Sequence, residues 1–358
     1  MTDAPVVVDA AELRLFARRA FEASGVDAEG AAAGADVLVR TSLRGVQSHG
    51  VAYLHQYVRQ LRDGGADPRA RLVHETDRGG LVAADARAGV GPVVASYATR
   101  LGIERAREHG LAMVSVRNAN HFGAAGHYAL MCAEAGCVGL MASNTPPIMA
   151  VTGSRSRSIG NSPLGFGAPR TGAPPFVLDI AMSKVAGGKI RLAAQRGEQV
   201  PLGWILDPDG EPSTAPEDFF VERGALLPVE GHKGYGLALM IETLAAALSG
   251  AAMASGVGNW LYDPDTPSDT GYFLLVIDVS SESAFALFQD RVRALCEEIT
   301  AAPRAPGVSR VYVPGEIEAL HESRALADGL PLEQEVVERL SALASDLGLR
   351  PPPSLLPR

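Results

Sequence analysis

Four short stretches of this chain carry side chains able to move a proton or hold a charged group. Ser48-His49 lies between Gln47 and Gly50. The run Asn118-Ala119-Asn120-His121-Phe122-Gly123-Ala124-Ala125-Gly126-His127-Tyr128 holds two asparagines and a histidine among small residues. Asp179 stands near the end of the apolar run Phe176-Val177-Leu178-Asp179-Ile180-Ala181. Gly231-His232-Lys233-Gly234-Tyr235-Gly236 precedes a long apolar segment. Histidine titrates near neutrality and serves as a general acid or base in either direction. Ser48 could hydrogen-bond beside His49, or it could cap the helix that follows. A carboxylate in a buried strand must find hydrogen-bond partners, which a structural role binding backbone amides would also supply. Backbone N–H groups and the Lys233 ammonium would suit a phosphate or carboxylate, although the stretch equally reads as a turn and does not match Walker A.

These groups sit at the ends of predicted elements. Leu111–Val116 is an apolar run that reads as a buried strand, and an Ala-rich helix through Cys132 follows the Asn118–Tyr128 stretch. Asn118 and Asn120 are then candidate N-caps, and His121 is expected against the positive end of that helix, which favours a neutral imidazole. Upstream, residues 9 to 24 carry an amphipathic helix. Asp27 caps a second that Gly45 ends. A third has Val51, Leu54, Val58 and Leu61 on one face, with Tyr53 and Tyr57 together on another. After residue 70 the pattern turns to mixed α/β. Strands are expected at 72–74, 81–84, 137–141, near 164–166, at 176–181 and at 272–277. Helices are expected from Gly89-Val90-Gly91 to His109, at 237–249, at 281–299 and at 331–347. The expected division is a helical lobe from 1–70 plus 300–358 and an α/β lobe over 71–299.

Several chemistries are excluded. No strand is followed by G-x-G-x-x-G: Gly89-Val90-Gly91 has Val94 where the third glycine belongs, so an ordinary Rossmann fold is not expected. The G-x-S-x-G nucleophile elbow and the H-E-x-x-H zinc pattern are absent. Cys132, Cys137 and Cys296 form no metal-ligand pattern, read as free thiols, and no metal is expected. The chain has 358 residues and a net charge of −9 with scattered Lys and Arg, which argues against nucleic acid or an anionic membrane as partner. No signal peptide and no uninterrupted apolar run of about 18 residues is seen, so the expected location is the cytoplasm.

Taken together, the pattern resembles the malate/L-lactate dehydrogenase family. That family also contains sulfolactate, ureidoglycolate and diketogulonate dehydrogenases and the piperideine- and pyrroline-2-carboxylate reductases. The resemblance rests on Ser48-His49-Gly50-Val51, on the block Asn120 to Gly126, and on Asn161-Ser162-Pro163-Leu164-Gly165-Phe166-Gly167-Ala168-Pro169. Leu178-Asp179-Ile180-Ala181, Gly203-Trp204, the block Gly231 to Leu239, and Pro314-Gly315-Glu316 complete it in order. It implies a non-Rossmann α/β fold with a mixed, largely antiparallel sheet and helical terminal segments. It also implies a homodimeric oxidoreductase using NAD or NADP on a small-molecule substrate. By that resemblance Ser48 and His49 are the acid/base pair, with His121 a second catalytic candidate. The cofactor would be met by His121, Phe122, Gly123, Thr145, Asp179, Ile180, Ala181 and Lys233. The reaction is hydride transfer between nicotinamide and a 2-oxo or 2-hydroxy acid or related ketone. The alternative is reduction of a cyclic imino acid at C=N. A cofactor binder without turnover is disfavoured by the presence of Ser48, His49, His121, Asp179 and Lys233. A Ser/His hydrolase is disfavoured because adjacent side chains do not face each other on regular structure.

Two departures touch the substrate pocket. Many members carry Arg where this chain has Tyr53, and Ala-Arg-Gly where it has Ala186-Gly187-Gly188. An arginine at such a place suits a bidentate grip on a carboxylate. Tyr53 and Tyr57 are therefore read as substrate-binding, supplying hydroxyls or an apolar wall for a larger or less anionic substrate. Arg117, Arg155, Arg157 and Arg191 are the candidates for a cofactor 2′-phosphate.

Overall fold

The computed structural model describes residues 5–280 and 282–355. The first elements are β1 (Val6–Val8), α1 (Ala10–Ala23), α2 (Ala28–Leu43) and α3 (Leu54–Asp63), with two short 3-10 turns, Gln47–His49 and Val51–Tyr53, before α3. The Asp9 carboxylate accepts from the N–H groups of Ala11 and Glu12, and Asp27 accepts from Gly30, so both predicted starts are capped. Each such cap is worth about 1 kcal/mol. The third helix begins later than its apolar spacing implies. The two 3-10 turns replace its first turns, and Ser48 caps nothing.

The middle of the chain supplies β2 (Val73–Arg78), β3 (Leu81–Asp85), α4 (Gly91–His109), β4 (Leu111–Ala119), α5 (Ala125–Glu134), β5 (Cys137–Ser143), β6 (Met149–Ala150), β7 (Arg157–Ile159), β8 (Leu164–Ala168) and β9 (Phe176–Ile180). It continues with α6 (Gly187–Arg196), β10 (Ile205–Leu206), β11 (Pro212–Ser213), α7 (Pro216–Phe220), α8 (His232–Glu242) and β12 (Thr270–Asp278). Seven strands form one sheet in the order β2-β3-β4-β12-β5-β8-β9. Only β3 and β4 pair in parallel, and every other neighbour pair is antiparallel. The sheet is thus mixed and largely antiparallel, as expected. Successive residues of its central strands face opposite ways. Ala112, Val114 and Val116 join Tyr272, Leu274 and Val276 under α4 and α5. Met113, Phe273 and Leu275 turn to the other face, against Met149, Ile241 and Ala245.

β9 corrects one expectation. It is the last strand of the sheet rather than a buried one, and of Phe176–Ile180 only Val177 is buried. An edge strand leaves its carboxylate at Asp179 open to one side.

The end of the chain contributes α9 (Phe288–Thr300), α10 (Glu316–Asp328), β13 (Leu330–Leu332) and α11 (Gln334–Leu347). α10 was not expected. Ala325 is its one buried residue, so it has no apolar stripe to read. β13 pairs antiparallel with β1, Val6 opposite Leu332 and Val8 opposite Leu330. One apolar core accordingly unites Leu13, Phe21, Leu38, Leu54 and Leu61 with Leu330, Leu340 and Leu343.

Ion pairs tie α5 to the helices around it. Arg40 of α2 grips Glu134 at the end of α5 through two hydrogen bonds and reaches Glu322 of α10, which Arg44 also binds. His127 of α5 lies by these charges, 5% exposed, with Nδ1 unpartnered. Burial, with the Arg40 charge second, pulls its pKa down to about 3. The unfolded chain, with an ordinary pKa of 6.5, then holds more protons than the folded one wherever the pH lies between those values. Stability therefore falls as pH drops below about 6.5, by about 1.4 kcal/mol per pH unit from this residue. Urea denaturation of the wild type and of His127→Gln at pH 7, 6 and 5 should show the wild type losing more on acidification. Parallel losses in the two proteins would contradict a neutral buried His127.

Candidate active site

The site is built outward from Asn120, whose side chain is completely buried. Its Nδ2 donates to the carbonyls of Gly65 (3.1 Å), Ala88 (2.9 Å) and Gly89 (3.1 Å). Its Oδ1 accepts from Gln60 Nε2 (3.0 Å) and the Ser268 N–H (2.9 Å). Its backbone carbonyl takes the Tyr272 hydroxyl. One carboxamide thus joins the end of α3, the turn before α4 and the loop before β12, and sets the backbone from which His121 projects. This is not the helix cap expected of it. α5 starts at Ala125 with Ala124 as its N-cap and no side-chain cap. Asn118 likewise does not cap. It adopts φ 52° and bonds Asp269 and Asp85.

Two imidazoles meet above this anchor. The His49 and His121 rings stack with centroids 5.8 Å apart. Ser48 Oγ lies 3.0 Å from His49 Nδ1, and the Tyr57 hydroxyl 2.7 Å from His121 Nδ1. The 3-10 turn at Gln47–His49 is what lets neighbours in sequence face each other. Each Nδ1 is therefore held, and neither Nε2 has a partner among the described residues. In a neutral imidazole one nitrogen donates and the other accepts, so the bond at Nδ1 governs what Nε2 can do. Burial lowers the His49 pKa to about 4. Burial, aided by His49, lowers that of His121 to about 3. Both rings are closely surrounded by protein yet only half-buried, the signature of a deep cleft open at one side. The neutral state of His121 thus comes from crowding and a second histidine rather than from the end of α5.

Aromatic rings complete this wall. Trp260 stacks on His121 at 4.4 Å with an interplanar angle of 14°. Tyr53 lies 5.4 Å from Trp260 and 6.3 Å from His121. No motif marked Trp260. It stands in the loop between α8 and β12, held by Gln56 Nε2, which donates to its carbonyl at 2.7 Å. Tyr57 is 1% exposed, and its hydroxyl lies against His121 Nδ1. Phe122 is also turned inward, its ring between Tyr128 and Tyr272, so only its backbone borders the cleft.

The remaining expected residues gather near the end of β9. Asp179 accepts from the Gly126 N–H at the start of α5. A side chain at Gly126 would collide with that carboxylate, 2.7 Å from Asp179 Cβ. Burial against α5 raises the Asp179 pKa to about 6, although the group still opens to solvent. Thr145 Oγ1 bonds Asn161 Oδ1 at 3.2 Å, and the Asn161 carbonyl accepts from the Met182 N–H at 2.8 Å, which links Thr145 to the Ile180-Ala181 segment. The Val229 N–H donates to the Met182 carbonyl, docking the start of α8 on the same segment, with Gly231, His232 and Lys233 exposed and Gly234 buried. The place of the missing second arginine is Gly187, where an added methyl would meet the Phe219 ring at 3.6 Å, while one at the next residue, Gly188, would lie 3.4 Å from Ser48 Cβ. Of the four arginines, Arg117 is bound to Glu75 and Asp85, and Arg191 covers Phe220. Arg155 and Arg157 line a separate cavity.

A family model described as malate/L-lactate dehydrogenase matches residues 8–341. The chain belongs to the malate/L-lactate dehydrogenase family. It is 36% identical over 343 residues to the malate dehydrogenase of Pyrococcus horikoshii, covering 93% of each chain. It is 33% identical over 328 residues to the pyrroline-2-carboxylate/piperideine-2-carboxylate reductase of Pseudomonas syringae pv. tomato, covering 91% of this chain and 93% of that one. The solved malate dehydrogenase structure from Pyrococcus horikoshii OT3 superposes with a TM-score of 0.89, at 32% identity and 97% coverage of both chains. The family match makes this chain an oxidoreductase with the non-Rossmann fold expected of it.

The Tyr57–His121 bond is directly observable. Tyr57→Phe should shift the His121 Nδ1 resonance in a 15N spectrum and cost about 1 kcal/mol of stability. An unmoved Nδ1 signal would show that the hydroxyl does not hold the ring.

Proposed function

We propose that the protein is an NAD- or NADP-dependent dehydrogenase acting on a 2-oxo or 2-hydroxy acid, with His49 as its acid/base group. The observation that carries this reading is the pair of stacked, half-buried imidazoles, each held at Nδ1, with neither Nε2 partnered among the described residues. The residues fit the cofactor: Asp179 is an open carboxylate for hydroxyls, and Lys233 is an exposed ammonium for phosphate charge. Thr145, Ile180, Ala181, Gly123 and the Phe122 backbone complete that side, within the lobe 71–299. When bound, the nicotinamide supplies or takes the hydride. The protein must take a proton from the substrate hydroxyl on oxidation, or return one on reduction. His49 Nε2 accepts that proton while Ser48 holds Nδ1. His121, fixed by Tyr57 and backed by Trp260, is positioned as the second polar contact. The helical lobe, 1–70 with 300–358, then carries the substrate and dimer contacts. Self-association would also cover Leu237, Leu239 and Met240, which α8 leaves exposed.

The rings set the substrate's chemistry. Tyr53 stands where many family members carry Arg, and its ring lies against those of Trp260 and His121. The substrate is therefore one without a second anionic group near Tyr53, with an apolar or aromatic side group against Tyr53 and Trp260. Reduction of a cyclic imino acid is the second reading. It is favoured by the similarity to the Pseudomonas syringae reductase and uses the same proton donor.

Three measurements test this. His49→Ala should lower kcat about 100-fold or more while cofactor affinity changes little. If His49→Ala stays active and His121→Ala does not, the roles are reversed. In the alcohol-oxidising direction kcat/KM reports the free enzyme, so its acid limb should lie well below pH 6.5, toward the value of about 4 at His49. A limb at or above 6.5 contradicts a base held neutral by burial. Across oxaloacetate, phenylpyruvate and a cyclic imino acid, the wild type should turn over oxaloacetate least, and Tyr53→Arg should raise it about tenfold. Rapid oxaloacetate reduction by the wild type would remove the role given to Tyr53.

A further inference from the structure

A cavity of about 590 Å3 is lined by Arg155, Arg157, Arg223, Asn259 and Tyr262 among others. Its lining holds three guanidinium groups and no carboxylate, in a chain whose net charge is −9. Arg157 is built in. Its Nε donates to the Gly224 carbonyl at 2.8 Å, another nitrogen reaches the Phe219 carbonyl, and the guanidinium lies over the Phe219 ring at 4.6 Å. Neither bond uses Nη1. Burial and the charge of Arg223 pull its pKa below the ordinary value, so the two cations are close enough to oppose each other. Arg223 has no ion pair among the described residues. Arg155 has only an exposed contact with Asp209 at 3.9 Å, a kind of pair worth little in water.

Uncompensated like charges around one cavity are relieved by an anion, and the planar fork of arginine matches phosphoryl oxygens two at a time. We infer that this cavity is a binding site for a phosphoryl group, held by Arg155, Arg157 and Arg223 beside the Val257–Tyr262 segment that carries Trp260. The segment is shared by both sites. Trp260 stacks on His121, while Asn259 and Tyr262 line the cavity. Asn259 also holds the turn together, its side chain accepting from the Leu261 N–H and its carbonyl from those of Tyr262 and Asp263. The phosphoryl group could belong to the nicotinamide cofactor or to a separate small phosphate ester, and the experiment separates them.

The test is calorimetric titration of the full-length protein with inorganic pyrophosphate, beside the double variant Arg155→Ser/Arg223→Ser. Arg157 is kept because its bonds are structural. The wild type should bind saturably and the variant at least about tenfold more weakly, at an unchanged melting temperature. NADH and NADPH are then titrated into both proteins. Weaker binding of NADPH alone in the variant assigns the site to the cofactor's 2′-phosphate. Unchanged affinity for both assigns it to a separate phosphate ester. Absence of saturable pyrophosphate binding to the wild type, or equal affinity in the variant, overturns the inference. None of these readings requires turnover, so they stand or fall apart from the proposed reaction.

Discussion

Everything in the cleft depends on one buried carboxamide. Asn120 has no access to water, so each of its polar atoms must be satisfied from within the protein. Its partners come from three segments far apart in sequence: Gln60 at the end of α3, the Gly65 and Ala88-Gly89 carbonyls, and Ser268 ahead of β12. A hydrocarbon side chain could fill the space but would orphan those groups together, at a cost of 1–3 kcal/mol each by the usual order of magnitude. The bond network therefore specifies one arrangement of the segments. His121 projects from the next residue, and its position inherits that precision.

The electrostatics follow from this anchoring. A histidine in water is half-charged near neutrality, which is a poor starting point for accepting a proton. Crowding by Trp260, Tyr53 and Tyr57 removes water from the rings, and His49 makes the charge of His121 more costly still. Asp179 moves the opposite way for the same reason, since desolvation disfavours whichever form is charged. The two imidazoles are thus held neutral at physiological pH, while Asp179, raised only to about 6, stays mostly ionised there.

Much of this was legible in the chain itself. Apolar periodicity marks the central strands because their neighbours alternate faces, and the histidine and aspartate stretches sit at element ends, where His49 meets His121 and Asp179 meets the start of α5 at Gly126. Other features left no local trace. α10 has no apolar stripe, since it is held by the ion pairs of Arg40 and Arg44 with Glu322 and not by an apolar face. Trp260 belongs to an irregular loop whose position depends on Gln56 and Asn259. The asparagines suggested caps because capping is their commonest task near a helix, but long-range satisfaction outweighed it. Tyr57 looked like a companion of Tyr53 because residues four apart are neighbours on a helix, and although the helix starts only at Leu54, both rings do lie against His121 and Trp260.

The pairing of β1 with β13 bears on how the molecule comes to exist. Val6 finds its partner only at Leu332, and the core of α1, α2 and α3 is closed by Leu340 and Leu343 of α11. During synthesis α1, α2 and α3 emerge with their apolar faces uncovered and stay so until β13 and α11 have been made. The α/β sheet, whose strands lie between them in the chain, can assemble meanwhile. These helices, made before the sheet, are therefore among the last parts to become native, and it is there that a nascent chain needs shielding from its neighbours.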